Sequence, residues 1–412
     1  MHYDCIIIGA GPAGLSAAAV LTRGQKGRVC ILEKNERPGV KLLLAGGGKG
    51  NVTNRRVDGT DYLGLSPAFA EYALSRVTPE MVMANLRAKN IPFEERDHGR
   101  IFCTVSAKAL LDALLATIAP QCDLKTGRAV TEVVYENGTF TVFRDTETFT
   151  APRLILAGGG PAWPSCGADD SCLKLAKSLG HTIVPPKPAL VPLIMPSTPP
   201  DTWPLAGLAG VSCEVAISCE MPVSREMPVS REMPVPRETA PVFRDALLFT
   251  HKGISGPAAL QISGYWNKGA AVVIDFLPET PVKDLLDTAT GKATPHSALS
   301  PHLPARLLAA LLPEDTAKRR VAELSRKQRD AIADALHRHS VTPTRTEGFA
   351  KAEAASGGVA VKDVDPATMQ SRLVPGLFFC GEVLDITGKL GGYNLHWAFS
   401  SGVVAGEGAT GR

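Results

Sequence analysis

The chain's first apolar run, Cys5-Ile6-Ile7-Ile8, leads straight into Gly9-Ala10-Gly11-Pro12-Ala13-Gly14. Four apolar residues in a row suit a parallel strand buried on both faces, and G-x-G-x-x-G directly after such a strand calls for a tight turn and a helix start. Gly9 permits the turn. Gly11 has no Cβ, so the backbone can approach a pyrophosphate, whose charge then faces the N-terminus of the helix that begins near Pro12. Gly14 lets that helix pack closely on the strand. The next apolar run, Val29-Cys30-Ile31-Leu32, ends in Glu33, nineteen residues after Gly14, where a carboxylate can accept hydrogen bonds from both hydroxyls of an adenosine ribose. It would repel a 2′-phosphate. Strand, glycine turn, helix and acidic residue together predict the opening of a dinucleotide-binding α/β domain. The stretch Cys5 to Thr22 is uncharged, but Asp4 rather than a basic cluster precedes it and glycines and a proline interrupt it, which argues against a signal peptide or membrane span.

With 412 residues the chain exceeds what one core usually organises, so two or three domains are expected. A formal net charge of +3 gives no general reason to expect a nucleic-acid partner. Nine cysteines form an odd set with no C-x-x-C pair and several lie in apolar runs, so buried reduced thiols in a cytoplasmic protein are expected, not a disulfide framework or a metal site.

The stretch from Lys41 through Gly46-Gly47-Gly48 to Asn51 and Asn54 reads as a loop that approaches a ligand, being glycine-dense. Helices are expected over Pro79–Lys89 and Ser106–Ile118. Val130–Tyr135 and Thr139–Phe143 flank Glu136-Asn137-Gly138 and predict a hairpin. Arg153–Ala157 reads as another buried strand ending in Gly158-Gly159-Gly160. Prolines crowd residues 185–204, which marks a domain boundary, and a β-rich segment including Val211–Ser218 follows. A hexapeptide, Glu-Met-Pro-Val-Ser-Arg, recurs three times over 220–238 with Pro236 replacing Ser in the last copy, and reads as an extended hairpin insertion. Residues 305–340 read as helical. Eight basic and five acidic side chains between 306 and 339 suggest a solvated face, with an RNA-contacting surface as the sharper alternative.

Near the C-terminus, Leu377 to Asp385 reads as a strand ending in Gly381-Glu382, and Gly391-Gly392-Tyr393-Asn394 opens a helix through about Val404. In two-dinucleotide flavoproteins such a strand returns beside the first. Gly381 would then approach the pyrophosphate and ribityl chain, Glu382 or Asp385 would accept a ribityl hydroxyl bond, and Gly391 and Gly392 would lie against the isoalloxazine ring. The helix start near Asn394 would face the N1/C2 side, where reduced flavin carries negative charge.

These segments, with Gly99-Arg100-Ile101-Phe102, the run Leu248 to Pro257 and Ser356-Gly357-Gly358-Val359, resemble over nearly the whole chain a bacterial flavoprotein family. That family includes aminoacetone-oxidase-like proteins and bile-acid dehydroxylation reductases. The resemblance implies FAD and an α/β fold: a discontinuous Rossmann-like FAD-binding domain (1–188 and 348–412), a β-barrel-like domain (189–275 and 341–347) and a small helical insert (276–340). Carried residue by residue, it adds Lys34, Thr53, Val130, Ala157, Gly158 and Gly159 to the expected cofactor contacts. The chain departs from the family pattern at Lys49-Gly50, at Cys103 and at Gly167-Ala168-Asp169-Asp170, which leaves the substrate open.

His251 and Lys252 are the candidate catalytic residues, able to polarise a substrate carbonyl or an anionic flavin, or else simply to shape a loop. Tyr393 is expected to contact flavin. The expected activity is FAD-dependent oxidation or reduction of a small-molecule substrate by hydride transfer at flavin N5. NAD(P)H is a candidate electron donor that would dock transiently, since Ala157-Gly158-Gly159 lacks the context of an independent NAD(P)H domain. A tRNA-associated flavoprotein and a flavin-binding sensor are the alternatives.

Overall fold

A computed structural model describes residues 1–23, 27–63, 67–118, 122–196, 203–219 and 241–411. The hexapeptide repeat over 220–238 lies outside the described residues. The chain forms two compact units, Met1–Pro188 with Ala352–Arg412, and Ala189–Lys351.

The first unit is organised by a five-stranded sheet in the order Leu377–Phe379, Leu154–Leu156, Cys5–Ile8, Val29–Leu32, Cys122–Lys125. Every neighbouring pair is parallel. Each residue of the inner three strands is buried, as continuous apolar runs require when both faces are covered. Helix Pro12–Leu21 follows the first strand, with Pro12 pre-set for a helix start. Helix Tyr393–Thr410 packs along it, and it does so backbone to backbone. A Cβ on Gly402 would stand 2.4 Å from the Ala13 carbonyl oxygen, and one on Gly406 would stand 2.8 Å from that of Ala17. The expected hairpin is Glu132–Glu136 and Thr139–Arg144, extended by Glu147–Ala151 into an antiparallel meander. Asn137 (φ 50°) and Gly138 (φ 77°) occupy the left-handed region that a two-residue hairpin turn needs.

Several expectations need correction. The glycine-rich stretch is not wholly loop: Val40–Leu44 is a short helix, and Asn51–Asn54 is a strand of a three-stranded antiparallel sheet with Arg100–Cys103 and Phe93–Arg96. Left-handed Gly39 starts the helix, and pairing with Arg100–Cys103 holds the strand; neither is visible in local composition. The C-terminal strand stops at Phe379, because left-handed Gly381 (φ 77°) turns the chain into a single 3-10 turn, Gly381–Val383. The last helix runs to Thr410, six residues past Val404.

The second unit carries a seven-stranded antiparallel sheet in the order His339–Val341, Val272–Asp275, Ser212–Cys219, Phe243–Phe249, Gly253–Ser255, Leu193–Ile194, Arg345–Thr346. Its two edge strands are consecutive in the chain. Four residue steps, from Val341 to Arg345, span at most about 14 Å, whereas seven flat strands would place the edges about 29 Å apart. The sheet must therefore curl back on itself in the manner of a barrel. Residues 305–340 are not one helical run but helices Ala305–Leu311, Glu314–Ala317 and Arg326–His337, broken at Pro313 and around Val321. Their apolar residues, including Leu307, Leu308, Ile332 and Leu336, join Leu247, Phe249 and Ile274 of the sheet in one core.

Candidate functional site

The turn after the first strand is closed by contacts that admit no side chain. A Cβ on Gly9 (φ 107°) would lie 2.6 Å from the Ala157 carbonyl oxygen, and one on Gly14 would lie 2.0 Å from that of Gly9. Gly158 is shut off by the Cys172 sulfur, 2.4 Å from where its Cβ would stand. Gly11 and Gly159 are different: nothing lies within 4 Å of the place a Cβ would take on either. Gly11 caps the first helix with no side-chain hydrogen bond, and the first turn holds no acidic residue. Space thus stands open beside Gly11, at the positive end of the helix.

Glu33 is 7% exposed, and its oxygens accept hydrogen bonds from the Ala10 N–H at 2.7 Å and the Asn35 N–H at 2.9 Å. Each oxygen keeps a lone pair for a ribose hydroxyl. Lys34 forms an ion pair with Asp169 at 2.7 Å. Val130 is buried just ahead of the meander.

The C-terminal segment joins the same place. A Cβ on Gly381 would stand 2.8 Å from that of Ala13, so the last strand's end lies against the start of the first helix. The Gly381 N–H donates to Ser401 Oγ at 2.9 Å, and its carbonyl accepts from Trp397 Nε1 at 3.2 Å. Glu382 and Lys41, both expected to face the cofactor, meet each other at 2.6 Å, and the Ala355 N–H donates to the other Glu382 oxygen at 2.8 Å. Asp385 accepts from the Gly357 N–H at 3.0 Å, and burial raises its pKa. Gly392 presses on the Thr53 backbone, where a Cβ would come within 2.3 Å of the carbonyl oxygen, and Gly391 (φ 126°) precedes it. Asn394 closes the turn before its helix, accepting from the Gly388 N–H at 2.8 Å and donating to the Gly388 carbonyl at 2.9 Å. Burial, with Asp61 and Asp58 nearby, pushes the Tyr393 phenol up, so it stays protonated and able to donate.

In the glycine-rich stretch Gly46, Gly47 and Gly48 all have positive φ. Gly46 is closed by Phe102, whereas Gly47 has nothing within 4 Å of a Cβ. Asn51 Oδ1 is buried with no hydrogen-bond partner among the described residues, an acceptor left for a ligand. Thr53 Oγ1 lies 2.8 Å from His396 Nδ1, and both residues are buried. Reading the sequence missed His396, Trp397 and Ser401. The sequence offered one signal, the four-residue spacing of Trp397 and Ser401, which puts both on one helix face; the burial of His396 is visible only in the structure.

His251 and Lys252 belong to the second unit, exposed on the turn between Phe243–Phe249 and Gly253–Ser255. Thr250 Oγ1 shapes that turn by accepting from the N–H groups of Lys252 at 3.3 Å and Gly253 at 3.0 Å.

FAD fits these residues. The open glycine at the helix start suits its diphosphate, Glu33 its ribose, and the orphaned Asn51 oxygen, beside Gly46, a donor on the ligand. A parallel α/β sheet whose first turn and last strand form one dinucleotide cradle defines a FAD-dependent oxidoreductase.

A family profile described as "HI0933-like protein Rossmann domain" matches residues 3–408. The chain belongs to that family. It is 34% identical over 414 residues to a ribosomal RNA dihydrouridine synthase of Escherichia coli K12, covering 97% of this chain and 96% of that protein. A ribosomal RNA dihydrouridine synthase of Haemophilus influenzae is likewise 34% identical over 413 residues, with coverage of 97% and 96%. A 3-dehydro-bile acid delta(4,6)-reductase of Clostridium scindens is 32% identical over 423 residues, with 98% of each chain covered. Among the described residues no helix is long and apolar enough to cross a membrane.

Proposed function

We propose that the protein reduces a carbon–carbon double bond conjugated to a carbonyl, and that its substrate is a uracil base of ribosomal RNA, left as dihydrouridine. The observation that carries this reading is the chemistry common to the names of three full-length relatives. Making dihydrouridine and reducing a delta(4,6) 3-keto steroid both add a hydride and a proton across an electron-poor double bond. Two of the three names specify ribosomal RNA, which favours the base and, with it, a cytoplasmic site of action.

Bound in this cradle, FAD would supply hydride transfer at flavin N5, and in this reading NAD(P)H would be the electron donor, leaving as NAD(P)⁺. The chain's own part is to hold and orient. Gly11 and the first helix receive the diphosphate, and Glu33 the ribose. The Lys41–Glu382 pair and the Ser401 and Trp397 bonds to Gly381 fix the C-terminal strand end. Tyr393, kept protonated, is a standing hydrogen-bond donor.

A small-molecule enone is the second reading, favoured by the near-complete coverage of the bile-acid reductase relative. The test is anaerobic. Purified protein is mixed with NADH or NADPH while flavin absorbance is followed, then given ribosomal RNA from cells lacking the gene, or free enones. Bleached flavin and a nucleoside heavier by two hydrogens support the first reading. Turnover of enones alone moves the assignment to the second, and an unbleached flavin with neither product defeats both.

A further inference from the structure

We infer that exposed basic residues at 292 and 318–327 of the second unit form a surface that binds the phosphate backbone of RNA. The inference deepens the ribosomal RNA reading and rests on it.

Charge is the first ground. Residues 292–329 hold eight Lys and Arg against three Asp and Glu, a balance of +5. The whole chain holds 44 against 41, so everything outside that segment holds 36 against 38 and is slightly acidic. The protein's positive charge therefore belongs to this one stretch.

Geometry is the second. The Val321 N–H donates to the Ala293 carbonyl at 2.8 Å, which brings the segment carrying Lys292 beside Lys318-Arg319-Arg320. Arg329 fastens the crest from below, donating to the Val321 carbonyl at 2.9 Å and pairing with Asp287. Lys283 likewise pairs with Asp330. Lys292, Lys318, Arg319, Arg326 and Lys327 are exposed, and among the described residues none of them has an ion-pair partner.

The third ground is a local rule broken. Arg326 and Lys327 occupy the first turn of helix Arg326–His337, where the helix dipole disfavours cations, and no acidic residue offsets them there. The Ser325–Gln328 capping box shows that this helix start is otherwise well formed. Cations placed where they weaken the helix point to an anion that they meet, and a polyanion uses all five together.

The test uses the full-length protein with Lys318→Glu, Arg319→Glu, Arg320→Glu and Lys327→Glu combined, and a second variant with Gln at the same positions. Affinity for protein-free ribosomal RNA is measured by anisotropy across a salt series. The Glu variant is expected to bind at least about tenfold more weakly, and the Gln variant to show a shallower salt dependence, by about 0.7 to 0.9 in log–log slope for each phosphate no longer neutralised. FAD content and flavin bleaching should match wild type in both. Wild-type affinity and slope in the variants would overturn the inference, and so would wild-type binding to phosphatidylglycerol vesicles without binding to RNA. If RNA binds through the crest but is never reduced, the surface stands and the substrate reading fails. If the Glu variant forms dihydrouridine in ribosomal RNA at the wild-type rate, the surface falls and the substrate reading stands.

Discussion

Two glycines three residues apart do opposite work, and substituting each separates folding from cofactor binding. Gly11 has open space where a Cβ would go and an ordinary φ of −79°, so Gly11→Ala should leave apoprotein stability within about 0.5 kcal/mol. Its methyl would occupy the diphosphate cradle, and FAD affinity should drop by at least about tenfold in a fluorescence titration. Gly14→Ala puts a Cβ 2.0 Å from the Gly9 oxygen, so it should lower apoprotein stability by roughly 1–3 kcal/mol. The glycine spacing was legible from the sequence; which glycine is open and which is closed depends on how the turn folds Gly9 back over Gly14, with Ala157, 143 residues further on, packed against it. His396 makes a pH-dependent contribution. Burial lowers its pKa from 6.5 to about 4, so below pH 6.5 the unfolded chain takes up a proton that the folded one refuses. Stability is unaffected above about 6.5 and is lost progressively as pH falls towards 4, by roughly 3 kcal/mol in all. Apoprotein melting curves should show that loss in wild type, and His396→Gln should flatten it.

At the scale of elements, the first and last helices are held together by absent side chains. Gly402 and Gly406 bring the C-terminal helix against Ala13 and Ala17, and a Cβ on Gly406 would already stand 2.8 Å from Val20. Gly406→Val should therefore cost about 1–3 kcal/mol by overpacking. Since the same helix carries the Ser401 and Trp397 bonds to Gly381, it should also weaken FAD retention, read as flavin released on gel filtration. Strands with strong local signals were legible from sequence: the first two, whose runs are wholly apolar, and the hairpin with Asn137-Gly138 at its tip. Helix Val40–Leu44 and strand Asn51–Asn54 were not: the glycines at 46–48 and 50 between them mask two short elements that hold no glycine themselves, and the strand depends on pairing with Arg100–Cys103. Glu382 shows the same limit at a single position. Its place after a strand end was readable, but its partner Lys41 lies 341 residues away.

At the scale of the molecule, the sheet order sets residues from both ends of the chain side by side, so the cofactor cradle is discontinuous. That much followed once Gly381–Asn394 was matched with Gly9–Gly14, but the strand order and the curl of the second sheet depend on pairings no local pattern encodes. The second unit is one continuous segment with its own core. Expressed alone, residues 189–351 should unfold in a single cooperative thermal transition and leave the absorbance of added FAD unchanged. A broad, non-cooperative melt would show that the segment needs the rest of the chain. The pairing of Leu193 with Thr346 near the two ends of this segment has a further effect. Before the second unit forms, the first must close a loop of 163 residues, 189 through 351. Afterwards it closes one of roughly a dozen, a difference in loop entropy of about 2 kcal/mol. Folding of the second unit thus favours folding of the cofactor-binding unit through chain statistics alone.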